Sequence, residues 1–225
     1  EKAEQMRKEF TANVSHELKT PLQNISGCAE LLSNGLVKKE DVTKFSNQIY
    51  SESKRLMTLI DDIIKLSFLD EDNNDSVDYK DVDVYKLCES VNNDLALVAK
   101  NSNVNLSLKG DHFITNSSSR LLYMVIYNLV DNAIKYNRPG GYVDVSVSNE
   151  GIIKVKDNGI GIPEESIDRI FERFYRVDKS HSKEVGGTGL GLSIVKHAVM
   201  TLGGDISLKS KLNEGSEFTI VLPKL

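Results

Sequence analysis

Two apolar stripes of helical spacing, parted by a single turn signal, constrain this chain more than any other feature. Phe10, Val14, Leu18, Pro21, Ile25, Cys28 and Leu32 follow one another at steps of three or four, the periodicity a helix buries on one face. Asn34-Gly35 then supplies a stop. A second helix, predicted from Glu40, carries Val42, Phe45, Ile49, Leu56, Leu59, Ile63 and Leu66, a heptad pattern that only Glu52 interrupts. Two helices joined by so short a loop form an antiparallel hairpin, which cannot cover its own seam. A second copy can, so the expectation is a homodimeric four-helix bundle. The alternative is a monomer whose seam is covered by residues from 77 onward.

The segment Ser15-His16-Glu17-Leu18-Lys19-Thr20-Pro21-Leu22 sets an imidazole beside a carboxylate, off the stripe. At about 100° per residue His16 lies roughly 200° from Val14 and should face water. Thr20, four residues on, shares that face. Pro21 cannot donate to the carbonyl of Glu17 and crowds it, which predicts a bend beside the histidine. Taken alone, a His-Glu pair is more often the mark of a solvated helix face.

With 40% hydrophobic and 27% charged residues, a chain of 225 residues suits one or two soluble domains. A formal charge of −5 argues against nucleic acid as a partner. Cys28 and Cys88 have no neighbours at metal-ligand spacing and read as reduced thiols in helix cores. The longest uncharged apolar run, 121–130, falls short of the ~20 residues a membrane helix needs, so no membrane contact is expected of this segment.

From Asp70 to Asp83 seven acidic residues stand against the lone Lys80. We read 1–69 as the hairpin domain, 70–76 as a linker that lets the rest of the chain swing, and 77–225 as a second domain opening on an edge strand. Helical spacing recurs over 84–100 and 119–136, and strand alternation over 104–108, 142–148, 152–156, 205–210 and 218–222. The tight Asn149-Glu150-Gly151 connection implies antiparallel pairing, hence a mixed sheet with helices on one face. The fold class is α+β.

Four patches of the second domain suit a nucleotide. Asn128, Asn132 and Lys135 share a helix face; amide oxygens are hard ligands for Mg²⁺ and the amine can meet phosphate, although an amide-rich helix surface would look the same. Asp157-Asn158-Gly159-Ile160-Gly161 follows a strand, where a carboxylate could accept an adenine amine and two glycines admit the base. A tight turn is the other reading. Between Arg169 and Lys183 five basic residues face two acidic ones, a balance that suits polyphosphate. Finally Gly186-Gly187-Thr188-Gly189-Leu190-Gly191-Leu192-Ser193 opens a helix predicted to run from Leu190 to Leu202, whose free N–H groups and dipole favour an anion.

The octapeptide 15–22 resembles the H box of sensor histidine kinases. The four later patches resemble, in order and spacing, the N, G1, F and G2 boxes of the GHKL ATPase superfamily. Residues 171–178 and 186–197 look like the phosphate-sensor type of membrane-linked kinase, and the resemblance covers 7–223. It implies that His16 is the phosphoryl acceptor, Glu17 its general base and Thr20 the residue that positions water for dephosphorylation. It also implies a two-layer ATP-binding α/β sandwich of the Bergerat type. There Asn132, assisted by Asn128, holds Mg²⁺, Lys135 and Tyr136 contact ATP, Asp157 with Gly159 and Gly161 reads adenine, and Gly187, Thr188, Gly189, Leu190, Gly191 and Leu192 cradle the phosphates. Arg176, in a lid, reaches the γ-phosphate. Asn137 departs from the usual Ser or Thr, and Thr201-Leu202 from the usual pair before Gly203-Gly204.

By this resemblance the phosphoryl passes to an aspartate on the receiver domain of a cognate response regulator. The chain would be the cytoplasmic portion of a longer bacterial receptor of the inner or plasma membrane, as its opening at Glu1 inside a charged helical run also suggests. A conformational ATPase like the gyrase or chaperone relatives is the competing function, and needs no helix histidine. His112, His181 and His197 read as solvated surface residues.

Overall fold

The structure is a computed structural model that describes residues 2–70, 78–177 and 187–223. It divides into two compact units, 1–67 and 68–225.

In the first unit α1 (Lys2–Ser33) and α2 (Val42–Asp70) are joined by a turn in which Gly35 takes φ +66° and Leu36 N–H reaches the Leu31 carbonyl. A 3₁₀ turn, Lys39–Asp41, leads into α2. Pro21, Cys28, Leu59 and Leu66 are buried, and the other stripe residues are half-covered, except Val42, which is exposed. Leu22, Tyr50, Met57, Ile60 and Ile64 also remain exposed. Partial cover is what a single hairpin can give its own stripes. The secondary structure of α1 continues through Pro21 without a break.

The linker expected at 70–76 lies outside the described residues beyond Asp70, which is the last residue of α2. The second unit takes in that last turn, Phe68–Asp70, with Arg120 over the Phe68 ring. The strand predicted after the linker, β1 (Lys80–Asp83), is not an edge of the main sheet. It pairs antiparallel with β3 (Ile114–Ser117) as a separate two-stranded ribbon. The helix α3 (Val84–Asn101) is capped by Asp83, which accepts the Lys86 N–H, and α4 (Ser119–Lys135) by Ser118, which accepts from Leu121.

The main sheet has the order β2-β4-β5-β7-β6, with β2 (Asn105–Gly110) parallel to β4 (Tyr142–Val147) and all other pairs antiparallel through β5 (Ile152–Asp157), β7 (Gly215–Val221) and β6 (Asp205–Lys211). This is the expected mixed sheet. Its inner face buries Val143, Val145, Ile153, Val155 and Ile220 under α3, α4 and α5 (Gly191–Thr201); the outer face shows Lys154 to Glu217 across the β5–β7 pair, 3.6 Å apart. α4 lies between α3 and α5 and contributes Leu122, Val125, Ile126, Leu129 and Val130, all fully buried. Both cysteines are buried and free, and burial pushes the Cys88 thiol up to about 12. The edge strand β6 is nowhere fully buried and carries Asp205, Lys209 and Lys211.

Leu122 touches solvent nowhere, so Leu122→Ala should destabilise the second unit by about 3 kcal/mol. Denaturant melts of the whole chain, followed by far-UV circular dichroism, would show an earlier transition with unchanged slope.

Candidate active site

The chemistry-bearing residues fall in two groups, one in each unit. On α1 the His16 side chain is 80% exposed, with Nδ1 3.8 Å from Glu17 Oε1. Glu17, about 100° further round the helix, turns toward α2, and its other oxygen lies 3.3 Å from Arg55 Nη2. The Thr20 hydroxyl donates to the His16 carbonyl at 3.2 Å. His16, Glu17 and Thr20 therefore occupy a single turn and a half of helix.

In the second unit the core fixes the rotation of α4. With Leu129 and Val130 against the core, Asn128 and Asn132 are half-buried on another side of the helix. The Asn128 amide nitrogen is spent on the Met124 carbonyl (2.7 Å), and its oxygen faces Gly191, where an added Cβ would sit 3.3 Å away. The Tyr136 hydroxyl lies against Gly187, 3.1 Å from the position of a Cβ there. The N-box helix thus meets the glycine turn that opens α5.

That turn is built by backbone. Gly189 takes φ +76°, its carbonyl accepts the Phe174 N–H at 2.9 Å, and a Cβ on it would fall within 2.9 Å of Phe174 Cα. Phe174 itself sits at φ +65°. The Thr188 hydroxyl accepts the Leu190 N–H, and Leu190 is fully buried. α5 then begins with no side-chain cap, which leaves its first N–H groups for an anion. It spans Gly191–Thr201, shorter by one residue at each end than predicted. Leu192 is half-buried beside it.

At the end of β5 the buried Asp157 carboxylate accepts the Gly159 N–H at 2.8 Å. A Cβ on Gly159 would lie 2.3 Å from the Tyr136 carbonyl, and one on Gly161, at φ +67°, 2.0 Å from the Lys211 carbonyl. Burial pushes the Asp157 carboxyl above its ordinary 3.8, while N–H groups of Gly159 and Ser216 pull it back in part.

Several residues have partners within the chain that the sequence did not suggest. Lys135 is tied to Asp131 at 2.6 Å. Of the basic run, Arg169 is bonded to Glu172 and Arg173 to Asp70 (2.7 Å). His197 stands 3.3 Å from the same Asp70 carboxylate, and His112 is hydrogen-bonded to Asp83 at 2.8 Å, so neither is merely solvated. Arg176 is half-buried. The rest of the lid, with Asp178, Lys179, His181, Lys183 and Gly186, lies outside the described residues.

Two positions carry more of the site than their sequence signal implied. Asn137 caps α4 by donating to the Ala133 and Tyr142 carbonyls, and Arg138 donates from Nη2 to the carbonyls of Gly159 and Asn213, both at 2.8 Å. Together they tie the end of α4, the Asp157 turn and the β6–β7 hairpin. A polar residue before Pro139-Gly140 reads only as a turn, and its partners lie up to 75 residues away.

The residues fit a magnesium nucleotide. The amide oxygens on α4 are hard donors, and the glycine turn has no room for side chains. Among the described residues no group of three or more His, Cys, Asp or Glu could hold a metal alone, which leaves the ligand's own phosphates to complete a shell.

Residues 6–72 match the His Kinase A (phospho-acceptor) domain, and residues 117–225 the histidine kinase-, DNA gyrase B- and HSP90-like ATPase. In that order the two make the kinase core of a sensor histidine kinase, and the chain belongs to this family. It is 36% identical over 240 residues to the sensor histidine kinase WalK of Bacillus subtilis, a match that takes in 99% of the chain but 38% of that protein's length. The histidine kinase AdeS of Acinetobacter baumannii superposes with a TM-score of 0.74 at 25% identity over 92% of this chain and 96% of that one. The histidine kinase ThkA, solved in complex with the response regulator protein TrrA, shares the fold (TM-score 0.77, 24% identity, 96% of this chain and 61% of that one).

A raised carboxyl contributes stability that is fully present below pH 3.8 and lost as pH rises through its folded value. Asp157→Asn keeps an acceptor for the Gly159 N–H without that loss. Relative to wild type, its melting temperature should therefore gain between pH 4 and pH 8, while ATP affinity falls at least about tenfold. Melting curves and nucleotide titrations on the same samples would check both.

Proposed function

We propose that this chain is a homodimeric protein-histidine kinase core that transfers the γ-phosphoryl of ATP to His16 and then to an aspartate of a response regulator's receiver domain. We propose further that it dephosphorylates that regulator. The observation that carries the reading is the exposed imidazole with a carboxylate facing its Nδ1, in a chain whose other unit is a glycine-built anion cradle. A conformational ATPase needs the second and not the first.

Glu17 faces Nδ1, so Nε2 is the nitrogen left to attack. Its lone pair forms the N–P bond as the bond from phosphorus to the bridging oxygen breaks, and ADP leaves with that electron pair. Glu17 Oε1 holds the proton on Nδ1 and takes up the positive charge that develops on the ring. Asp157 and Gly159 would seat adenine, the N-terminus of α5 the phosphates, and Arg176 the γ-phosphoryl. Asn132 and Asn128 would hold Mg²⁺, which when bound with ATP supplies charge neutralisation on the phosphates. The exposed apolar residues Leu22, Met57 and Ile64, each next in sequence to a stripe residue, support dimerisation through the hairpin.

Among the described residues no helix is long and apolar enough to cross a membrane. WalK extends well beyond the matched part, which supports reading this chain as a segment of a larger sensor protein; that the segment is the cytoplasmic portion of a membrane receptor is part of the proposal.

His16→Gln should abolish acid-labile, alkali-stable label from γ-labelled ATP and leave ATP affinity within about twofold, because acceptor and cradle belong to different units. Undiminished labelling of the variant would overturn the assignment. The Thr20 hydroxyl hydrogen is engaged by the His16 carbonyl, which turns its lone pairs outward to orient a water molecule. Thr20→Ala should therefore keep most autophosphorylation and lose at least about tenfold in dephosphorylation of the regulator. Time courses of the two reactions would separate them, and an equal loss in both would count against the role given to Thr20.

A further inference from the structure

We propose that Arg55 is a positioning residue for the phosphoryl acceptor, acting through Glu17. The inference rests on the roles given above to His16 and Glu17.

Glu52 occupies a position of the α2 stripe where the heptad pattern calls for an apolar side chain, and it is only 18% exposed. One of its oxygens accepts from Asn24 Nδ2 of α1 at 3.0 Å. The other, Oε2, is buried without a hydrogen bond, 3.9 Å from Arg55 Nη1. The opposite nitrogen of that guanidinium, Nη2, lies 3.3 Å from Glu17 Oε2, and Glu17 Oε1 is the atom facing His16 Nδ1. A relay of hydrogen bonds and looser charge contacts, the latter at 3.9 Å between Glu52 and Arg55 and 3.8 Å between Glu17 and His16, thus runs Asn24, Glu52, Arg55, Glu17, His16, crossing from α1 to α2 and back.

Stability alone does not account for such a relay. Partly buried ion pairs are commonly replaced by apolar residues with little loss, and the heptad would accept a leucine at 52. What the relay does achieve is geometric. A Glu side chain rotates about three bonds, and an imidazole that is 80% exposed imposes little order on it. The planar guanidinium, itself 17% exposed and anchored from behind by Glu52, fixes one Glu17 oxygen and leaves the other aimed at Nδ1. Lysine, with a point charge, could hold the oxygen less firmly.

The test measures autophosphorylation at saturating ATP, the KM for ATP, thermal melting and dimer mass for Arg55→Gln, Arg55→Lys, Glu17→Gln and the Glu17→Gln/Arg55→Gln pair. Glu52→Gln/Arg55→Gln is added because it removes both charges of the more deeply buried pair together and leaves no lone carboxylate at position 52. Arg55→Gln and the Glu52/Arg55 pair should lose about tenfold in the saturating rate with the KM unchanged within about twofold, and Arg55→Lys should recover most of the loss. On the Glu17→Gln background Arg55→Gln should cost nothing further, the signature of two residues acting as one unit. Full activity of a folded, dimeric Glu52→Gln/Arg55→Gln would overturn the proposal, as would an additional loss on the Glu17→Gln background. Loss of the dimer in every Arg55 variant, Lys included, would make the relay a register device and overturn it too. A Glu17→Gln variant with undiminished rate would instead refute the role of Glu17 itself, whatever Arg55 does.

Discussion

The second unit depends on how α4 is seated. Its fully buried residues, Leu122, Val125, Ile126, Leu129 and Val130, meet α3, α5 and the sheet at once, so the helix has one rotation about its axis that satisfies all three. That rotation turns Asn128 toward Gly191 and carries Tyr136 to both Gly187 and Gly159. The cradle is thus a by-product of packing: polar side chains are aimed by apolar ones a residue away. Asn137 and Arg138 then hold the helix end against the Asp157 turn, so three elements distant in sequence share one corner.

The two chemical groups ask opposite things of their surroundings. The acceptor role proposed for His16 requires access from outside, and its side chain is exposed on a helix whose other face is covered. The base-reading role proposed for Asp157 gains from a dry site, and that residue is buried at a cost that shows in its raised carboxyl. Dividing these demands between a hairpin and a sandwich lets each unit meet one of them.

Much of this was legible in the sequence because its signals are periodic and local. The stripes of α1 and α2, the exposure of His16 and the sided helices over the sheet all follow from spacing within a few turns. What escaped was set by distant partners. Strand β3 is four residues long, its buried positions are Thr115 and Ser117 rather than branched apolar residues, and it acquires strand character only by pairing with β1 more than thirty residues upstream. The balance of charge between Arg169 and Lys183 suited phosphate, yet Arg169 found a carboxylate three residues away and Arg173 found Asp70. Charge counting cannot tell an arginine awaiting a ligand from one already paired. Arg138 carried no signal at all, because its acceptors are backbone carbonyls, which every residue has.

Among the described residues the sheet ends on two strands with no further partner, β2 and β6. An uncovered edge is a template on which any extended segment can add itself, another copy of the same sheet included. Lys209 and Lys211 on β6, with Asp205 at its start, place charge along one such edge, and Lys109 with Asp111 just beyond it does so at the end of the other. A strand laid against either edge would have to strip water from these charges. Copies of the chain that meet in solution are thereby discouraged from joining through the sandwich, so self-association is channelled to the hairpin.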